Sequence, residues 1–155
     1  MHVRKAASVK TFTQFFDMIE DAAKVLVVFA NEAGYTPSVP NSKRHLQNLV
    51  SSGEGDILIV YQGTTPVAVA TVTYDSEHQE ERFGYILKFY VMPEARKSEA
   101  GRVLTRELTQ WFDEHQCHDS FVTSTAMIGQ NKLFENLMAK SGYRLVGGAM
   151  KRRGK

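Results

Sequence analysis

The chain has 155 residues, 43% hydrophobic and 23% charged, a balance that fits one globular domain and excludes disorder or a collagen-like repeat. With 19 Lys and Arg against 17 Asp and Glu, the net charge of +2 is too even for a dedicated nucleic-acid binder. The longest apolar run, Val25 to Ala30, is far short of a membrane span, and the lone Cys117 excludes an internal disulfide.

Residues 2–7 alternate weakly and read as a short first strand. From Thr11 the apolar residues Phe12, Phe15 or Phe16, Ile19, Ala22 or Ala23, Leu26 and Phe29 or Ala30 recur at helical spacing. Thr11 and Gln14 have the form of a capping box, and Gly34 is a stop. The β-branched Val25, Val27 and Val28 also suit a strand; the helical period before them favours helix. Tyr35 to Pro40, with two prolines, reads as a connector. Asn41 or Ser42 would cap a second helix carrying Leu46, Leu49 and Val50, ended by Ser51-Ser52-Gly53. The period then drops to two. Asp56 to Gln62 and Val67 to Tyr74 form a hairpin about Gly63–Pro66, and polar Asp75–Arg82 leads to a strand over Gly84–Met92.

Pro93 stops that strand. A helix follows with Val103, Leu104, Leu108, Trp111 and Phe112 on its buried stripe. Ser120 to Met127 reads as a strand, Asn131 to Lys140 as a short helix closed by Ser141-Gly142, and Tyr143 to Lys151 as the end of the sheet. The order β, α, α, β, β, β, α, β, α, β, β predicts one α/β (α+β) domain over residues 1–155, with a basic tail at 151–155.

The chemistry concentrates in Phe89-Tyr90-Val91-Met92-Pro93-Glu94-Ala95-Arg96-Lys97-Ser98-Glu99-Ala100-Gly101-Arg102. A strand, a short basic loop and a helix start make an anion site, because first-turn N–H groups have no intrahelical acceptor. By spacing alone the same pattern also fits a solvated loop. The string Val91-x-Pro93-x-x-Arg96-x-x-Glu99-x-Gly101 resembles the acetyl-CoA loop of the GCN5-related N-acetyltransferase (GNAT) superfamily, V-x-P-x-x-[RQ]-x-x-G-x-[GA]. Asn131, Leu137 and Gly142-Tyr143 resemble its second segment, N-x-x-A-x-x-L-Y-x-x-x-G-F.

The resemblance implies a GNAT fold: a mixed, mostly antiparallel sheet of about six to seven strands, splayed between the fourth and fifth and flanked by about four helices. It implies acetyl-CoA as cosubstrate and direct acetyl transfer to a primary amine of a small molecule or peptide. Phe89, Tyr90 and Val91 would pair with the pantetheine arm, and the Val91 N–H would hold the thioester carbonyl. Arg96, Lys97, Ser98, Glu99, Ala100, Gly101 and Arg102 would surround the pyrophosphate, and Asn131 would bind the cofactor's arm. Members of this fold often pair through edge strands, which makes a homodimer an expectation.

Three positions depart from the pattern. Glu99 stands where the family has glycine, a residue with wider φ and closer backbone approach. Met138, which has no proton to donate, stands where a tyrosine often protonates the departing thiolate. Leu87-Lys88 stands where many relatives have a carboxylate. Glu81 is the replacement base, with Glu80 beside it, and Tyr143 the replacement acid; Tyr90 or a water are alternatives for the latter. Tyr35, Asp75, Glu77, Glu80 and Glu81 would line an acceptor cleft between residues 11–53 and the 75–82 loop, suiting a cationic amine. The rival reading is a GNAT-fold binding or structural subunit that has lost catalysis.

His115, Cys117, His118 and Asp119 are metal-ligand types at a spacing too tight for one tetrahedral site, so no metal is expected. Cys117 reads as a structural thiol. The tail Lys151-Arg152-Arg153-Gly154-Lys155 is too short for a nucleic-acid domain, and nothing predicts membrane attachment. The polar N-terminus carries no signal-peptide core and, with reduced Cys117, gives a cytoplasmic expectation.

Overall fold

Helix α1 (Phe12–Glu32) begins where Thr11 Oγ1 accepts the Gln14 N–H at 3.1 Å, while Gln14 Oε1 accepts the Lys10 N–H at 3.3 Å. It ends at Gly34, φ +83°, where the Gly34 N–H donates to Asn31 C=O and the Tyr35 N–H to Ala30 C=O. That is a Schellman close, and glycine meets its positive φ without strain. The computed structural model describes residues 1–122, 131–144, 146 and 152.

Helix α2 (Val39–Ser51) starts earlier than the prolines suggest. Ser38, rather than Asn41 or Ser42, is the cap, and its hydroxyl accepts the Asn41 N–H at 3.3 Å. Pro40 falls in the first turn, where its missing N–H has no partner to lose.

Strands β1 (His2–Lys5), β2 (Gly55–Gln62), β3 (Thr65–Asp75), β4 (Arg82–Val91) and β5 (Cys117–Val122) form one sheet in that order. The first four are antiparallel, and β4 pairs β5 in parallel. A parallel pair needs a crossover, supplied here by helix α3 (Ala100–Glu114). Helix α4 (Asn131–Lys140) closes on Gly142, φ +92°. Five strands are present among the described residues. The expected strand Tyr143–Lys151 falls mostly outside them, as do residues 123–127 of the strand expected over Ser120–Met127.

Two cores sandwich the sheet. Ile57, Ile59, Tyr61, Val69 and Tyr90 pack under α1 and α2, while Leu58, Val60, Val72, Ile86, Phe89 and Val91 pack under α3 and α4. Burial on both faces makes β2 a continuous apolar run, where a period of two is the expectation above. Among the described residues no helix is long and apolar enough to cross a membrane.

One buried carboxylate ties three elements together. Asp56, 3% exposed, accepts the N–H of Ala7 at 2.9 Å, of Ile57 at 2.8 Å and of the Trp111 indole at 3.2 Å. Desolvation pushes its pKa up, and the three donors oppose the shift. Asp56→Ala leaves two buried donors, the Ile57 N–H and the Trp111 indole, and the part-buried Ala7 N–H without this acceptor. It should destabilise the fold by about 3 kcal/mol, read as a lower urea midpoint at unchanged slope.

Candidate functional site

Strand β4 positions the site, and it carries one residue more than its partner. Thr71 pairs with Lys88 and the next residue, Val72, with Ile86, so Leu87 is the extra residue of a β-bulge. Without it Ile86 and Lys88, two apart, would share a face. With it Ile86 is buried toward α3, whereas Lys88 turns to the α1 face, its Nζ 5.3 Å from the Phe29 ring centre. Beyond the bulge Phe89 and Val91 point into the α3 core and Tyr90 into the α1 core.

The backbone of this segment has a definite direction. The Met92 N–H donates to Val67 C=O at 2.8 Å and so flanks the Ala68–Val91 pair. In an antiparallel ladder a pair flanked in this way exchanges no bonds of its own. The N–H and C=O of Val91, and of Phe89 two residues before it, therefore point away from β3. They face the β5 flank, where the parallel ladder runs from Arg82–Cys117 to Ile86–Val122, the last described residue of β5.

After β4 the chain makes a 3-10 turn over Pro93–Ala95. Ser98 Oγ donates to Ala95 C=O at 2.5 Å and accepts the Ala100 N–H at 3.2 Å, folding the loop onto the start of α3. Gly101 and Arg102 follow in the first turn, whose N–H groups have no intrahelical acceptor. Lys97, Ser98, Glu99 and Arg102 are exposed. Glu99 has φ −83°, an ordinary value for any residue, so replacing glycine here strains nothing. In this loop the tighter position is Gly101: a Cβ there would stand 3.3 Å from the Leu137 side chain of α4, which would have to give by a few tenths of an ångström.

Arg96 behaves differently from its basic neighbours. Its Nε donates to Val91 C=O at 3.2 Å, and one terminal nitrogen donates to Glu32 at 2.6 Å and to the Tyr90 hydroxyl at 3.1 Å. The Tyr90 hydroxyl also donates to the Glu32 carboxylate. Arg96 lowers the Glu32 pKa, its hydrogen bond outweighing burial, while burial and the neighbouring carboxylate push Tyr90 up to about 12. The sequence reading missed Glu32. Its signal is electrostatic: a carboxylate in the last turn of α1 opposes the helix dipole, and no basic residue shares that turn.

The structure does not bring Glu81 or Tyr143 to this end of β4. Glu81 immediately precedes the strand and Val91 ends it, a span of about 30 Å at 3.3 Å per residue. Asp75, Glu77 and Glu80 lie at that far end too, whereas Tyr35 follows the Glu32 end of α1. The Tyr143 hydroxyl is hydrogen-bonded to Ser120 Oγ at 2.9 Å, and Ser120 pairs with Gly84, seven residues before Val91. Met138 is 4% exposed in the α3 core. Asn131 opens α4; its side chain lies outside the described residues. His115 stacks on Trp111 at 3.9 Å, and burial pushes the Cys117 thiol up.

The profile of the Acetyltransferase (GNAT) family matches residues 18–143. The chain belongs to that family. Its fold is similar to that of a probable acetyltransferase, at 14% identity and TM-score 0.76, with each chain covered in full. A predicted acetyltransferase from Clostridium acetobutylicum solved with acetyl-CoA is similar at 16% identity and TM-score 0.68, covering 98% of this chain and 95% of the other. Glucosamine-6-phosphate N-acetyltransferase from Arabidopsis thaliana is similar at 17% identity and TM-score 0.71, covering 99% and 98%. No curated protein matches by sequence.

Because Arg96 holds the Glu32 pKa down, folding favours the carboxylate. The stability from that pair is complete above the ordinary glutamate pKa of about 4.3 and is lost as pH falls through the lower folded value. The urea-midpoint difference between wild type and Glu32→Gln should therefore shrink between about pH 6 and about pH 3.

Proposed function

We propose that this GNAT-family protein is an acetyl-CoA-dependent N-acetyltransferase that passes acetyl directly to a primary amine. The observation that carries this reading is the direction of the β4 backbone beyond the bulge. Phe89 and Val91 turn their amide groups away from β3, as an added extended arm would need. The pantetheine arm would lie along Phe89–Val91 as a further strand. The Val91 N–H would meet the thioester oxygen as it gains charge during attack, and that hydrogen bond strengthens in the transition state. Lys97, Ser98, Glu99, Ala100, Gly101 and Arg102 would supply the pyrophosphate cradle, with Lys97 and Arg102 forming no ion pair among the described residues. Asn131 would serve the cofactor's arm. Amine and thioester held side by side need no covalent enzyme intermediate.

The acceptor would enter on the α1 side of β4, beside Tyr35, Phe29 and Lys88. That displaces the acceptor from the 75–82 loop, and with it Glu81 as base. The amine would lose its proton to water or to a group outside the described residues. Tyr143, bonded to Ser120 at the far half of β5, is set aside as acid on the same ground.

A specific observation favours the rival reading, a binding subunit without catalysis. Met138 is packed into the core at the position where the family often has its acid, and the Tyr90 hydroxyl, beside Val91 in the chain, is already bonded to Glu32 and Arg96 on the α1 face.

Titration calorimetry and thermal melting with acetyl-CoA test the cofactor half: ligand at about 100 times its dissociation constant should add roughly 2.7 kcal/mol of stability. Thiol release from acetyl-CoA in the presence of spermidine, glucosamine 6-phosphate or an aminoglycoside tests transfer. Binding without transfer to any amine would select the subunit reading. No binding at millimolar acetyl-CoA would remove both the cofactor and the reaction.

A further inference from the structure

Arg96 stands at the motif position whose charge would ordinarily be assigned to phosphate, yet its guanidinium is already committed. Three acceptors hold it: the Val91 carbonyl, the Glu32 carboxylate and the Tyr90 hydroxyl. The Arg96 side chain is 16% exposed, so its guanidinium is half-buried behind a Glu32 carboxylate that reaches the surface, whereas Lys97 and Arg102 are exposed. The guanidinium also lies 5.4 Å from the Tyr90 ring centre, a further restraint on its plane.

We infer that Glu32, Tyr90 and Arg96 form a positioning clamp that fixes the Val91 peptide, and that Arg96 acts through this backbone without touching phosphate. The inference rests on the acetyl-CoA reading for its consequence, though not for its geometry. The peptide joining Val91 to Met92 is gripped on both sides. Its carbonyl accepts from Arg96 at 3.2 Å, and its N–H donates to Val67 C=O at 2.8 Å. A planar peptide held at both its polar atoms restrains the ψ of Val91, the torsion that joins the held plane to that residue. That angle helps aim the preceding N–H, the one that would meet the thioester. Glu32 anchors the arrangement from the end of α1, 64 residues earlier in sequence. An ion pair at the surface contributes little to stability, but a multidentate one fixes direction, which an oxyanion donor requires.

The test separates a clamp from a phosphate ligand. Wild type, Glu32→Gln, Arg96→Gln, Arg96→Lys, Tyr90→Phe and the double variant Glu32→Gln/Arg96→Gln are compared in two assays. In the first, adenosine 3′,5′-bisphosphate, the nucleotide end of coenzyme A, and acetyl-CoA are each titrated by calorimetry. A clamp leaves the nucleotide's Kd within about twofold in every variant while weakening acetyl-CoA about tenfold in Arg96→Gln, with no rescue by lysine. A phosphate contact weakens both ligands equally in Arg96→Gln, leaves Glu32→Gln unaffected and is rescued by lysine; that result overturns the inference.

The second assay needs no ligand. Hydrogen exchange of the Met92 amide, which donates to Val67 C=O, should accelerate about tenfold in Glu32→Gln and in Arg96→Gln, and no further in the double variant. Tyr90→Phe, which keeps the core ring, should show a smaller acceleration and guards against a misfolded double variant. Unchanged exchange in all variants overturns the clamp. Accelerated exchange in a protein that binds no acetyl-CoA sustains it and overturns the cofactor reading alone.

Discussion

The one-residue mismatch between β3 and β4 decides which groups the end of β4 presents. An extra residue at Leu87 reverses the side-chain alternation, so that Lys88 and Tyr90 go to the α1 face while Phe89 and Val91 go to the α3 face. A bulge also bends its strand and adds twist. The described ladder to β5 ends at Ile86, the residue before it. Beyond that point, the amide groups of Phe89 and Val91 point to the β5 flank because the Met92–Val67 bond fixes the phase of the β3 ladder. Side-chain direction and backbone direction at the site thus follow from a single inserted residue.

The loop after β4 divides its charges between two tasks. Arg96 is absorbed by Glu32, Tyr90 and the Val91 carbonyl, and lends its charge to the geometry of the strand end. Lys97 and Arg102 remain exposed around the start of α3, where first-turn amides add a partial positive charge. Glu99 weighs against them electrostatically. Its unstrained φ means that the missing glycine has no backbone consequence, and Gly101 of the same loop packs closely against Leu137.

Local signals made most of the fold legible in the sequence. Thr11 with Gln14, Gly34, Gly63 and Gly142 mark ends through chemistry confined to four or five residues, and the apolar periods between them give the faces. The start of α2 was misread because a proline was weighed as a breaker without regard to its place in the first turn. Leu87 was not legible as a bulge, since an extra residue is defined only against the partner strand. Glu32 and Arg96, 64 apart, meet through the tertiary fold, as do Asp56 and Trp111. Glu81 and Tyr143 had the right functional groups for base and acid. Their distance from Val91 depends on where β4 begins and which residue of β5 faces Gly84, neither of which residue type encodes.

Tyr90 and Val91 are neighbours in sequence and lie on opposite faces of the sheet. The peptide between them carries the N–H proposed to meet the thioester, whereas the Tyr90 side chain belongs to the α1 core, where it packs edge-on against Phe29 at 5.2 Å. A change on the α1 side that moved Glu32 would act on Tyr90 and Arg96 together, and through Arg96 on the carbonyl of Val91. The α1 face and the β5 flank are therefore joined across one strand by two hydrogen-bonded residues, without a moving domain. This arrangement places the end of α1 and the end of β4 under a shared geometric constraint, which explains why a carboxylate is tolerated at a helix end that by itself disfavours one.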